Sequence, residues 1–173
     1  MADKHQQFIQ ACSAGNTDLA KQLQLDVPLQ TTEFLLNAFA VAIEQKQIPI
    51  IEFLLQECPE ELCSRFPDPP LLQAIEAGPE VYALFIRKDP SIARRSFGHM
   101  GDALGLAVMR NDAELVRLLL DNGASPSESR ILHKPTKEVV RDLQSADRQI
   151  VNMLDEQRPE ERGIRGWVGR IFR

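Results

Sequence analysis

The side chains of this sequence that could bind a metal ion or act as nucleophiles include three cysteines and three histidines. Cys58 and Cys63 are separated by four residues and have no second Cys or His pair nearby, so they miss the ligand spacing of a zinc finger or zinc ribbon. Cys12 occupies a small apolar position, which favours packing in a core. An odd, irregularly spaced set of cysteines also argues against a disulfide framework. We therefore expect no metal ion and a reducing, intracellular compartment.

The histidines do not indicate a catalytic site either. They are far apart in the chain, at His5, His99 and His133. Nothing beside them predicts a Cys–His or Ser–His pair. We expect a non-catalytic protein without a cofactor, and one alternative stays open, namely a small-ligand or enzyme cleft around His99 and Cys63.

The C-terminal residues 158–173 differ in composition from the rest of the chain. They contain five arginines and two glutamates, a formal charge of +3, in a chain whose net charge is −5. Their glycines do not match a phosphate-binding loop. The candidate contact residues in this tail are Arg165, Trp167, Arg170, Ile171 and Phe172. Three interpretations remain open: the tail covers the last helices, it binds a partner or a membrane surface, or it is a disordered tail or part of a longer protein.

These residues are set in a pattern of short helical hairpins, which is clearest in residues 101–126. Two amphipathic stretches there are separated by Asn111-Asp112, where Asp112 is placed to cap the second helix. Asn122-Gly123 predicts a left-handed helix end, and Pro126 prevents continuation. A helix pair this short cannot bury its apolar face alone, so it requires neighbours of the same kind.

The same pattern recurs along the chain with a nearly constant period. A small alanine marks the first helix of each copy, and successive alanines are 31, 32 and 33 residues apart, at Ala11, Ala42, Ala74 and Ala107. A period in this range is typical of a solenoid of stacked helical hairpins. We expect repeats at about 4–30, 31–64, 65–97 and 98–130, a degenerate C-terminal cap at 131–157, and the separate tail at 158–173.

Local signals place several elements within these repeats. A helix is predicted from residue 31 to residue 46, and Pro49 suits the first turn of the helix that follows. Residues 91–100 are expected to project as a finger, and residues 127–135 to form a loop. The last helical hairpin is predicted at residues 137–143 and 148–157.

Residues 101–125 resemble the repeat of the ankyrin family. The matching positions are Leu104, Leu106, Ala107, Glu114, Val116, Leu118, Leu119, Leu120, Gly123 and Ala124. The family's Thr-Pro-Leu-His segment reads Asp102-Ala103-Leu104-Gly105 here, so its Thr/His hydrogen-bonding pair is missing. The resemblance implies an all-α, ankyrin-like solenoid of stacked helix-turn-helix repeats that binds a protein partner without catalysis.

The resemblance also implies where a partner would bind. In the family, the first helices and the finger loops form a concave binding surface. The expected contacts are Glu44, Gln45, Glu76, Met109 and Arg110 from the helices, and Arg65, Phe66, Phe97, His99 and Met100 from the fingers. Aromatic, Met and Arg side chains are frequent at the centres of protein interfaces. Phe66 and Phe97 have an alternative role, as packing beneath the fingers.

Charge and hydropathy limit the other classes of partner. A net charge of −5 provides no field that would attract nucleic acid. The longest apolar stretch, residues 34–43, is too short to span a bilayer, and the N-terminus lacks a signal sequence. We expect a monomeric protein of the cytoplasm or nucleus. The alternative function is a peripheral membrane adaptor that docks through the basic tail.

Overall fold

The computed structural model describes residues 3–26, 32–58, 67–142 and 147–156. The chain divides into two compact units, Met1–Arg95 and Ser96–Arg173. Several residues singled out in the sequence lie outside the described ranges, namely Cys63, Arg65, Phe66 and the tail residues Arg165, Trp167, Arg170, Ile171 and Phe172.

The described part of the first unit consists of three helix pairs and a short 3-10 helix. The pairs are α1 (Lys4–Ala14) with α2 (Thr17–Gln24), α3 (Thr32–Glu44) with α4 (Ile48–Glu57), and α5 (Asp68–Ala77) with α6 (Pro79–Lys88), and the 3-10 helix is Pro90–Arg94. The predicted helix over 31–46 is confirmed between residues 32 and 44. Pro49 lies in the first turn of α4 as expected, because that position needs no intrahelical N–H.

The helices of the first unit pack in two layers. α1, α3 and α5 contact one another in sequence and form the first layer, whereas α2, α4 and α6 form the second. The alanines that mark the period in this unit, Ala11, Ala42 and Ala74, are buried. The rings of Phe39 and Phe85 lie 5.8 Å apart between centroids and join α3 to α6 of the following pair. The structure thus confirms the predicted all-α fold of paired, sequentially packed helices.

The turns inside the pairs also connect neighbouring repeats. Gly15 and Lys46 have left-handed backbone angles, with φ of 73° and 50°. Asn16 follows Gly15 and caps α2, since its side chain accepts a hydrogen bond from the Leu19 N–H at 3.0 Å. Gln47 follows Lys46, and its longer side chain instead donates to the carbonyl oxygen of Ser13 at 3.2 Å. A polar side chain of the second pair therefore ties it to the first.

The segment after α6 corrects part of the predicted projecting finger over residues 91–100, because its first half is packed. Ile92 and Ala93 are buried, and the Tyr82 hydroxyl donates to the carbonyl oxygen of Ile92 at 3.1 Å. Arg95 donates from Nη2 to Asp68 Oδ1 at 2.8 Å, which fixes the end of the segment to the start of α5. Buried apolar side chains hold the first half of this segment against α6.

The second unit begins with a loop and a helix pair, followed by a β-hairpin and a second helix pair. Its elements are a 3-10 helix (Gly98–Met100), α7 (Ala103–Met109), α8 (Ala113–Asp121), β1 (Arg130–Ile131), β2 (Lys134–Pro135), α9 (Thr136–Asp142) and α10 (Arg148–Glu156). α7 packs on α8, α8 on α10, and α9 on α7, α10 and the hairpin. The helices expected near 137–143 and 148–157 are present. The loop expected over 127–135 is wrong in part, because it contains the antiparallel hairpin.

Both local signals predicted for α8 are confirmed. Asp112 Oδ1 accepts from the Leu115 N–H at 3.0 Å and caps the helix start. Gly123 is left-handed, with a φ of 92°, and the Ala124 N–H donates to the Leu119 carbonyl at 2.9 Å. These bonds satisfy backbone groups that the helix itself leaves unpaired.

Among the described helices, none is long and apolar enough to cross a membrane.

Candidate partner-binding surfaces

A groove runs between α3 and α5 in the first layer of the first unit. We call it the α3/α5 groove, and its cavity has a volume of about 630 Å³. The cavity is lined by Asn37, Ala40, Val41, Ile43, Glu44, Lys46, Gln73, Glu76 and Ala77. Ile43 is buried, Ala40, Val41 and Ala77 are half-buried, and the remaining polar and charged lining residues are exposed. An apolar floor with a polar rim is the usual composition of a protein interface or ligand site.

The groove brings together two residues that the sequence predicted as partner contacts. Glu44 and Glu76 come from the ends of consecutive first-layer helices and line the same cavity. Lys46 is the basic residue of the lining, so the described rim carries two carboxylates and one ammonium group. Gln45 is exposed beside Glu44 but does not line the cavity.

Sequence reasoning missed Asn37, Ala40, Val41, Ile43, Lys46 and Gln73, although a signal for three of them exists. Asn37, Val41 and Glu44 lie on one helix face at the spacing of about one helical turn, as do Gln73 and Ala77. These residues could have been found by adding, for each predicted contact, the residues one helical turn closer to the helix N-terminus. It would not have shown that the two faces border one cavity, because that depends on how α3 packs on α5.

The second unit presents a different set of predicted contacts. Residues 96–102 form a tight loop closed by the Phe97 N–H, which donates to the Gly101 carbonyl at 2.8 Å. His99 and Met100 are exposed on this loop, whereas Phe97 is only 3% exposed. The expectation that Phe97 contacts a partner is therefore corrected, and its alternative role as packing holds. Met109 and Arg110, at the end of α7, are exposed.

A polar cluster is centred on Asp102, in the segment where the Thr/His pair of the family is missing. Asp102 Oδ1 accepts from the Gly105 N–H and from the Ser129 hydroxyl, each at 2.8 Å, and Oδ2 accepts from the Arg130 N–H at 2.7 Å. Ser129 and Thr136 are buried, with their hydroxyl oxygens 2.7 Å apart. Since Ser129 donates its proton to Asp102, Thr136 is the donor to Ser129. Asp102 thus caps α7 and holds β1 at the same time.

Two glycines allow β1 to approach α7 closely. A Cβ at Gly105 would lie 2.7 Å from both the Arg130 carbonyl oxygen and Ile131 Cγ1, and a Cβ at Gly101 would also collide with that carbonyl. Gly101 in addition has a φ of 114°, which other residues rarely adopt. Gly105 stands where the family motif has histidine, and the backbone of β1 lies where a side chain at this position would begin.

The remaining candidates for chemistry show no catalytic arrangement among the described residues. Burial raises the pKa of the Cys12 thiol to about 12, so it is a poor nucleophile near neutral pH. His5 lies 3.4 Å from an Asp3 carboxylate oxygen at an exposed position, and a hydrogen bond to His5 lowers the pKa of Asp3. In the part of the chain that the structure describes, no group of three or more His, Cys, Asp and Glu side chains could hold a metal ion.

These observations define a protein of paired helices that pack sequentially. Residues 103–130, which comprise α7, α8 and the start of β1, match the family model of the ankyrin repeat. The match agrees with the resemblance that residues 101–125 indicated, so this segment is similar to an ankyrin repeat. No curated protein matches the chain.

Proposed function

We propose that this protein is a non-catalytic interaction module that holds a segment of a partner protein in the α3/α5 groove. The observation that carries the proposal is the meeting of Glu44 and Glu76, from consecutive first-layer helices, at the rim of one apolar-floored cavity. An ankyrin repeat implies a protein-interaction module in general terms, and we assign the binding to the groove.

The floor and the rim have separate roles in this proposal. An apolar partner side chain packs on Ala40, Val41 and Ala77, and full burial of a side chain the size of Leu or Val contributes about 1.5–3 kcal/mol. Glu44 and Glu76 pair with basic or hydrogen-bond-donating groups beside it. Such rim contacts act more on partner choice and association rate than on affinity.

The rigidity of the surrounding helices favours binding. α3 and α5 pack on each other and on their own second-layer helices, and Ala42 and Ala74 are buried within that packing. A preformed groove loses little conformational freedom on binding, so a few anchor contacts suffice.

A second contact region is proposed on the second unit. Met100 and Met109 are 37% and 49% exposed, and Met side chains adapt readily to varied apolar partners. His99 and Arg110 are exposed as well and provide polar contacts.

We assign Gln45 of the first unit to the periphery of the interface at the α3/α5 groove, where contacts contribute little energy.

We further propose that the module acts in the cytoplasm or nucleus as a monomer. The buried Cys12 thiol, which forms no disulfide, supports a reducing compartment.

The test compares partner capture by the full chain and by two charge-reversal variants. Glu44→Lys/Glu76→Lys alters the groove rim. Asp18→Lys/Glu80→Lys makes the same change of charge at exposed positions on the second-layer helices α2 and α6. Circular dichroism establishes that both variants are folded, and captured proteins are identified by mass spectrometry.

The proposal predicts a partner that is retained by the full chain and by the second-layer variant and lost with the groove variant. Retention by both variants would show that the groove does not bind it. A further variant ending at residue 157 tests the membrane-adaptor alternative. If the full chain floats with anionic vesicles and the truncated variant alone does not, membrane binding would be assigned to the tail.

A further inference from the structure

The end of α8 carries an asparagine that is followed directly by glycine. The chain has five asparagines, and Asn122 alone precedes a glycine, Gly123. Asparagine is a chemically labile residue, because the backbone nitrogen of the next residue can attack its side-chain amide. A glycine in that place leaves the attack unhindered, since it has no side chain. Asn122–Gly123 is therefore the peptide link of this sequence most open to such a reaction.

Burial gives this link no protection in the folded protein. Asn122 and Gly123 are both exposed, and a Cβ at Gly123 would meet no atom within 4 Å. The chain becomes buried again only at Ala124, which is 5% exposed. Any protection of the link must therefore come from hydrogen bonds.

Hydrogen bonds of the helix end hold both groups that the reaction would use. The Asn122 side-chain amide donates from Nδ2 to the Leu118 carbonyl oxygen at 2.7 Å. The Gly123 N–H donates to the Leu120 carbonyl oxygen at 3.1 Å. The amide and the attacking nitrogen are thus engaged with two different carbonyl groups of the last helical turn. Joining the two requires both bonds to break, so the end of α8 must open first.

We propose that Asn122–Gly123 is a site of spontaneous deamidation that the hydrogen bonds at the end of α8 keep unreactive. Water is the second reactant. Once the helix end opens, the Gly123 nitrogen loses its proton to solvent and forms a bond to Asn122 Cγ. The bond from Cγ to Nδ2 then breaks, and ammonia leaves.

Water then opens the cyclic imide that this step produces, and no group is oxidised or reduced. Cleavage of the bond between Cγ and the Gly123 nitrogen leaves an ordinary aspartate at residue 122. Cleavage of the bond between the backbone carbonyl carbon of residue 122 and the Gly123 nitrogen leaves an isoaspartyl linkage instead.

Either product weakens the helix end that protected the asparagine. A carboxylate at residue 122 has no N–H to donate to the Leu118 carbonyl. It also places a negative charge beside the exposed Asp121 at a helix C-terminus, where the helix dipole disfavours anions. An isoaspartyl linkage adds one carbon to the backbone just before the Ala124 N–H, which donates to the Leu119 carbonyl at 2.9 Å. The reaction thus converts a transient opening of α8 into a permanent loss of stability.

The experiment incubates the full chain at neutral pH, in buffer and in urea, and follows each asparagine by proteolysis and mass spectrometry. The internal controls are the asparagines that do not precede glycine, namely Asn16, Asn37, Asn111 and Asn152. In urea, Asn122 should react about tenfold faster than these controls, because only its attacking nitrogen is unhindered. In buffer, Asn122 should react at least about tenfold more slowly than in urea, because reaction then waits for opening of the helix end. Labelling by an isoaspartyl methyltransferase identifies the isoaspartyl product.

Two variants test the site and its consequence. Gly123→Ala keeps Asn122 but places a methyl group beside the attacking nitrogen, so the reaction in urea should slow about tenfold. The comparison is made in urea so that a change in folded stability does not enter. Asn122→Asp supplies one product directly and should lower the melting temperature by about two to four degrees.

A second pair of variants tests whether the protection is local to α8. Asp112→Ala removes the cap at the start of α8 and should speed the reaction of Asn122 in buffer about fivefold. Gln47→Ala removes a hydrogen bond in the first unit and should leave that rate unchanged.

Each contrary result overturns a defined part of the proposal. A rate at Asn122 in urea no higher than that of the control asparagines would overturn the site itself. Equal rates at Asn122 in buffer and in urea would overturn protection by the helix end. Equal acceleration by Asp112→Ala and Gln47→Ala would assign the exposure of the site to unfolding of the whole protein. An unchanged melting temperature in Asn122→Asp would overturn the loss of stability.

Discussion

Asp102 and Arg130 are joined by two hydrogen bonds that connect the start of α7 to β1. The Asp102 N–H donates to the Arg130 carbonyl at 3.2 Å, and the Arg130 N–H donates to Asp102 Oδ2 at 2.7 Å. Because the same carboxylate also caps α7 through Gly105, one side chain fixes both the helix and the strand. At the position where the resemblance places the family's threonine, Asp102 bonds to both α7 and β1.

Replacing Asp102 should therefore destabilise the protein more than replacing an ordinary helix cap. We expect Asp102→Ala to lower the free energy of unfolding by about 2–4 kcal/mol, because a cap and two further charge-assisted bonds are lost. Asp112→Ala, which removes the bond to the Leu115 N–H, should lower it by about 1 kcal/mol. Urea denaturation followed by circular dichroism measures both. Equal losses of unfolding free energy in Asp102→Ala and Asp112→Ala would mean that the bonds from Asp102 to Ser129 and Arg130 contribute nothing to stability.

Gly105 gives a second test of the contact between α7 and β1. Alanine normally stabilises a helix relative to glycine by about 1 kcal/mol. At Gly105 the added Cβ would meet the Arg130 carbonyl, so we expect Gly105→Ala to destabilise by about 1–3 kcal/mol.

Gly123→Ala is the contrasting substitution, since a Cβ there meets no atom within 4 Å but the φ of 92° is unfavourable. It should cost about 1 kcal/mol through the backbone alone. Thermal denaturation of the two variants separates steric from conformational effects. Stabilisation by Gly105→Ala would contradict the close approach of β1.

The contact between Gly15 and Gln47 predicts coupling between two repeats. Gln47→Ala removes the hydrogen bond to the Ser13 carbonyl and should cost about 1 kcal/mol. Gly15→Ala should cost more in the natural background, because its Cβ would collide with the Gln47 side chain. In the Gln47→Ala background only the cost of its φ of 73° should remain.

A double-mutant cycle measured by chemical denaturation gives the coupling energy, which we expect to be about 0.5–1.5 kcal/mol. Additive effects within error would mean that the two side-chain positions act independently.

The buried Cys12 thiol should make the free energy of unfolding depend on pH in the alkaline range. Burial raises its pKa from the ordinary 9.0 to about 12, so between these values the folded protein retains a proton that the unfolded chain releases. The contribution of the Cys12 thiol to the free energy of unfolding is complete below pH 9. It falls as the pH rises toward 12, by at most about 1.4 kcal/mol per pH unit.

Cys12→Ala serves as the reference, because it lacks the titrating thiol. The difference in unfolding free energy between the two proteins should shrink between pH 9 and pH 10.5, a range bracketed by the two pKa values. The folded protein should also resist thiol reagents at Cys12 until it unfolds. A constant difference across this range would show that Cys12 ionises as freely in the folded state.

The predictions that succeeded from sequence concern interactions between residues close in the chain. Asp112 caps α8 three residues ahead of Leu115, and Gly123 ends the same helix, so side-chain chemistry and backbone preference were sufficient. The repeated alanines were predictable for a related reason. The buried face of each short helix requires a small residue at the same position in every copy.

The features that sequence reasoning missed depend on segments that are distant along the chain. Phe97 carries no local sign of whether it points inward, and Leu132-His133 lacks the Asn-Gly signal by which a tight hairpin is recognised. Glu44 and Glu76 were predicted one by one, but the apolar floor between them was not.

The sequence by itself determined the helical repeat, its period, the helix ends and the similarity of residues 103–130 to the ankyrin repeat. Tertiary structure alone decided that Asp102 bonds to β1, that Leu132 is exposed on a strained turn, and that α3 and α5 border a groove. The physical reason is that helix periodicity and capping arise within a few residues. Close backbone approach and cavity shape arise only when separate elements pack together.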